Sequence, residues 1–130
     1  MKLWKKLFLF CFGGGMYAAI ELLWRGRTHG SMFLLGGGCF LALGALRRSK
    51  LPTAVLPLVG SAVITLGELA TGLLVNRNYT VWDYRSVPGN FLGQICPVYS
   101  LLWIPLSLAA MMVDQWLERR LAPLVLPPEY

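Results

Sequence analysis

The sequence predicts an all-α membrane protein: four transmembrane helices with a re-entrant or cap-like segment between helices three and four. Three observations carry this. Of 130 residues, 56% are hydrophobic and only 14% charged, whereas about 25% charge is usual in a soluble domain. The apolar residues gather into four runs close to the roughly 17–25 residues that cross a bilayer as a helix. The basic residues sit in short clusters beside those runs, as topology determinants do, and not along one face as a phosphate-binding stripe would. The net charge of +6 therefore points to a lipid bilayer as partner and away from nucleic acid.

The whole chain, 1–130, reads as a single transmembrane domain. The first helix is expected at about 7–24, and its opening MKLWKKLFLFCF mimics a signal peptide but runs on through Glu21 without a small-residue cleavage site. A polar hinge, Arg25 to Ser31, closes it. The second helix, about 32–46, is short and must borrow flanking residues or thin the bilayer to span. Arg47, Arg48, Lys50 and Pro52 separate it from a long third run, about 54–75, which carries Glu68. A polar connection, 76–96, precedes the fourth helix at about 97–113, where Pro105 removes a backbone donor and should bend the chain. Asp114, Glu118, Arg119 and Arg120 then read as an exit, leaving 114–130 as a surface-lying or irregular tail.

Orientation follows from the basic residues near the span ends. Lys2, Lys5, Lys6, Arg47, Arg48, Lys50, Arg119 and Arg120 fall on one side, and Arg25, Arg27, Arg77 and Arg85 on the other, which accounts for all 12. The larger set is expected to be cytoplasmic, with both termini, in the cell membrane. Most of the five tryptophans, Trp4, Trp24, Trp82, Trp103 and Trp116, fall near span ends, as interfacial anchors do.

Neither metal nor cofactor is expected. Cys11, Cys39 and Cys96 lack metal-type spacing. The triplets Gly13–Gly15 and Gly36–Gly38 lack the Lys-Ser/Thr of a phosphate loop and read as sites of close helix packing.

Two helix faces stand out. Gly14, Ala18, Glu21 and Arg25 share one face of the first helix, and Ser61, Thr65, Glu68 and Gly72 one face of the third. Each stripe holds a carboxylate. At 1.5 Å of rise per residue, Glu21 and Glu68 lie about 5 Å and about 10 Å from their helix ends, on the non-cytoplasmic side. A carboxylate at membrane depth is by default a candidate site group, although Glu21 can also be read as an interfacial partner of Arg25. Over these two helices the connection is expected to sit as a cap turned by Pro88-Gly89. Asp83 is expected to pair with Arg27 or Arg85, and Asn90 and Gln94 to offer neutral hydrogen-bonding groups to backbone or ligand. The opposing reading is that these polar groups only satisfy the backbone of the cap. Cys96, at a helix start, is read as a packed thiol before a reactive one, and His29 as a hinge residue before a base.

The run Glu68-Leu-Ala-Thr-Gly72, followed by Trp82-Asp83-Tyr84, Pro88, Asn90, Gly93, Ile95-Cys96, Ser100 and Trp103, resembles the CmpB-like family of ABC-transporter type IV permeases, small bacterial multi-pass membrane proteins. Glu21 with the Arg27–Gly30 hinge looks like the family's earlier motif. The resemblance covers most of the chain and implies a transport role. The sequence carries no ATP-binding motif, so any ATPase would be a separate subunit.

The function expected is that of a permease or transporter component of the inner membrane. It would bind a small polar or cationic ligand in a non-cytoplasmic cavity formed by Glu21, Glu68, Arg27, Trp82, Asp83, Tyr84, Arg85, Asn90, Gln94 and Cys96. Four helices are few for alternating access, which implies a homo-oligomer or a partner subunit. Two other classes fit the same residues. One is an interfacial enzyme acting on a lipid-linked substrate, with Glu68 or Asp83 as base and Arg27 or Arg85 on an anionic headgroup. The other is an accessory subunit whose polar set is structural.

Overall fold

A computed structural model describes residues 3–26, 29–79 and 81–129, with side chains for all of these but 24, 25 and 122–129. Its elements are four helices, α1 (Leu3–Arg25), α2 (Gly30–Arg47), α3 (Leu56–Val75) and α4 (Pro97–Glu129). Among the described residues there is no strand, only one isolated bridge between Phe91 and Ile95. All four helices contain stretches long and apolar enough to cross a membrane: Leu3–Leu23, Gly30–Arg47, Leu56–Val75 and Pro97–Leu121. Large apolar side chains such as Leu23 and Leu74 stand almost fully exposed on them, which in water would be a liability and in lipid is the expected outer surface. Arg27, Thr80 and Tyr130, like the first two residues, lie outside the described set.

Sequence accounts for the helix ends. His29 caps α2, its Nδ1 accepting from the Ser31 amide at 3.1 Å, so the helix starts two residues earlier than its apolar run and gains the length that the run lacked. Pro57 sits in the first turn of α3 and Pro97 opens α4, positions where the missing N–H costs nothing. The end of α4 differs from the expected tail, because residues 114–129 continue the helix. Two of the charges that read as an exit, Asp114 and Glu118, are instead partners across the bundle. Asp114, 1% exposed, accepts from Arg47 Nε at 3.1 Å and Arg48 Nη1 at 3.3 Å, and Glu118 pairs with Arg47 as well. At 33 residues, α4 would be about 50 Å long, well beyond the roughly 30 Å hydrocarbon core.

The helix pairs in extended contact are α1 with α2, α2 with α3, α2 with α4 and α3 with α4. Gly14 on α1 lies against Phe33 of α2, and the second triplet answers from the other side, Gly36 against Tyr17 and Gly37 against Phe10. Any Cβ at these glycines would overlap the ring or backbone opposite, and such close approach is how helices associate where hydrophobicity gives no preference. On α3 the stripe meets α4: Ser61 Oγ donates to the Ser100 carbonyl at 2.6 Å, and Thr65 Oγ1 lies 2.8 Å from Ser100 Oγ. Helix α2 is thus the central element, and Glu21 and Glu68 sit toward the same end of the bundle.

Candidate functional site

Residues 76–96, with Thr80 outside the described set, form an ordered non-helical connection whose organiser is Asn76, fully buried at the C-terminal end of α3. Its Oδ1 accepts from the amides of Val81 at 2.8 Å and Trp82 at 3.2 Å. Its Nδ2 donates to the Trp82 carbonyl at 2.7 Å and to Gln94 Oε1 at 2.9 Å. Gln94 returns the contact, Nε2 donating to the Asn76 carbonyl at 3.0 Å, and the Trp82 indole donates to the Gln94 carbonyl at 2.9 Å. Two amide side chains thereby satisfy a loop backbone that would otherwise be buried unpaired. Gly72 makes room for this knot: a Cβ there would lie 2.8 Å from Gln94 Cδ and 3.1 Å from the Trp82 ring. Gly93 is required on two counts, a φ of +69° and a Cβ position only 2.6 Å from the Tyr79 ring.

This knot turns Trp82, Tyr84 and Cys96 inward onto Met32 and Leu35 of α2. The connection thus packs on α2, on α3 through Gly72 and Glu68, and on Tyr17 of α1, so α2 is added to the two helices on which it was expected to sit. Tyr84 reaches farthest. Its hydroxyl donates to Glu68 Oε2 at 3.0 Å, while Trp103 Nε1 of α4 donates to Glu68 Oε1 at 2.7 Å. Tyr99 stacks on Tyr84 with 4.8 Å between ring centroids and tilts against Trp103 at 6.0 Å. Glu68, 3% exposed, is thus a carboxylate set among three aromatic rings, joining α3 to α4 and to the connection.

The other expected site residues distribute around this point. Glu21 is buried near the end of α1. Asp83 faces outward and is bridged by Arg85, with Nε to Oδ1 at 2.9 Å and Nη2 to Oδ2 at 2.8 Å. Those hydrogen bonds, with the Arg85 backbone amide and its charge, hold the Asp83 carboxyl below the usual carboxylate range and lift the Arg85 guanidinium above its own. Asn90 is occupied locally, donating to the carbonyls of Arg85 and Val87 and accepting from the Gly93 amide at 2.9 Å. Cys96 is a free, buried thiol. Arg27 lies outside the described residues. Two apolar grooves flank α2, and neither is lined by Glu21 or Glu68. Among the described residues no three His, Cys, Asp or Glu side chains gather as a metal site would require.

Asn76, Tyr99 and Trp103 were not singled out as site residues by sequence. Tyr99 and Trp103 carry a readable signal, an i, i+4 aromatic pair on one helix face. Asn76 carries a weaker one, an amide directly after an apolar helix.

A family model described as "Putative ABC-transporter type IV" matches residues 7–125. The chain belongs to this family. The match covers all four spans and the whole connection, so the Asn76 knot and the Glu68 cluster lie within the family's domain. With four apolar helices, membership makes this a multi-pass membrane protein of an ABC-transporter-related type. No curated protein and no solved structure matches the chain.

Proposed function

We propose that the protein is a membrane-spanning permease component in which Glu68 binds a small polar or cationic ligand, reached when the 76–96 connection lifts from the bundle. The observation that carries this reading is the position of Glu68. It is a buried carboxylate within a span, and one of its two described donors, Tyr84, belongs to the connection and not to the helices. Lifting the connection removes one donor from Glu68 and takes the Tyr84 ring off Tyr99, so ligand binding and movement of the connection are coupled. Buried carboxylates within spans characteristically mark ligand and ion pathways, and the family supplies the transporter setting.

The excess of Lys and Arg at the opposite end favours a cytoplasmic location for both termini, which would make the connection an outward-facing lid on the cell membrane. A second copy or a separate ATPase subunit would complete the system, since four helices are few for an alternating-access path.

Glu68→Gln keeps the size and one acceptor oxygen for the Trp103 N–H, turns the other position into an amide N–H that can donate to the Tyr84 hydroxyl oxygen, and removes the charge. Expected is a loss of at least tenfold in ligand binding or uptake, with detergent thermal stability changed little. Full uptake in Glu68→Gln would remove Glu68 from the pathway, and a large loss of stability without a specific defect in uptake would make the cluster structural.

A further inference from the structure

Between α1 and α4 runs an apolar groove of about 240 Å³. Phe12, Met16 and Ile20 line it from α1, Leu106, Ala109 and Val113 from α4, and α2 forms its floor. All of these positions lie within candidate spans, so the groove faces hydrocarbon. At the end away from the connection it is closed, because Leu9, Phe40, Leu117 and Leu121 draw α1, α2 and α4 together. At its other end it reaches Trp103, the residue whose indole N–H is donated to Glu68. A blind apolar channel, open sideways to lipid, thus leads to an aromatic ring fixed edge-on to a carboxylate.

Resting on the assignment of Glu68 as the ligand carboxylate, we propose that the ligand is an amphiphilic organic cation, its alkyl chain in this groove and its ammonium head on Trp103 beside Glu68. The chemistry at each end selects it. A ring that lines the groove and holds a carboxylate at its N–H edge attracts an alkylammonium head by the ring quadrupole and by the nearby charge, and the groove offers a chain apolar contacts. From Trp103 to Val113 is about 15 Å along α4, enough for a chain of medium length. Such a ligand would enter the groove chain-first from the bilayer, and its head would engage Glu68 as the connection lifts.

The test uses the full chain in lipid nanodiscs and dodecyltrimethylammonium carrying a photoactivatable diazirine at its terminal carbon. Label is expected on residues 12–20 and 103–113, blocked by unlabelled dodecyltrimethylammonium and not by dodecyl sulfate. Ala109→Trp, which fills the groove and leaves Glu68, Tyr84 and Trp103 in place, should cut labelling at least tenfold while tetramethylammonium binding persists. Label spread evenly over the exposed helix faces, equal protection by dodecyl sulfate, or unchanged labelling in Ala109→Trp would each overturn the proposal. Glu68-dependent binding of tetramethylammonium without groove labelling would sink the chain site alone. Binding of neither cation would remove the Glu68 assignment with it.

Discussion

Among single residues, Asn76 does the most to define the connection. Its side chain makes four hydrogen bonds to the loop backbone and Gln94 with no access to solvent. Truncating it to alanine takes the partner from the buried Trp82 amide and carbonyl and from Gln94 Oε1, each at about 1–3 kcal/mol. Asn76→Ala should therefore destabilise the protein by about 3 kcal/mol or more, and the connection should open before the bundle does. Trypsin cleavage after the exposed Arg85 reports this directly: faster cutting in the variant is expected, and unchanged cutting would show that other contacts hold the segment. Glu68 was legible in the sequence because a carboxylate in an apolar run is conspicuous. Its ties to Tyr84 and Trp103 were not, since both donors come from residues 16 and 35 positions away.

At the level of elements, α4 shows how a charged residue can mark either an exit or a junction. Asp114 and Glu118 follow an apolar run and precede two arginines, a pattern that local reading takes as the helix leaving the membrane. The structure places Asp114 against Gly44 and in reach of Arg47 and Arg48 on α2, so the same residues tie two helices together at the end opposite Glu68. Removing one partner from a buried ion pair leaves the other charge uncompensated, at about 3–5 kcal/mol. Asp114→Ala is accordingly expected to lower stability by about 3 kcal/mol in a denaturation series, with part of the loss recovered in the Arg47→Ala, Asp114→Ala double variant. Additive losses in the double variant would mean that the two residues do not act as a pair. Of the glycine triplets, Gly13, Gly14, Gly36 and Gly37 sit at the close contact between α1 and α2, while Gly15 and Gly38 face open space.

For the whole molecule, most of the basic residues lie toward one end and the folded connection at the other, which ties topology to function: the Glu68 site can face outward only if the Lys50 end is inside. In a chain with its native cysteines replaced, Asn90→Cys should react with an impermeant maleimide on intact cells, and Lys50→Cys only after permeabilisation. The reverse pattern would put the connection in the cytoplasm. Either result leaves the internal arrangement untouched, because the packing of helices does not depend on which way the chain is inserted.

The features legible from the residues alone are local in origin. Four apolar runs specify four helices, because length and hydropathy are properties of each segment alone, and a carboxylate inside such a run announces itself without reference to any neighbour. The expectation of an ordered segment between the third and fourth helices rests on the same kind of information, apolar and turn-forming residues interleaved over 76–96. Only the tertiary structure decided that α2 lies at the centre, that the α1 and α3 stripes face α2 and α4, and that Glu68 is shared by Tyr84 and Trp103. In lipid, one apolar face is as well solvated as another, so neighbours are chosen by fitted small residues and by hydrogen bonds between distant positions. Those are pairwise facts, and no single run of sequence contains them.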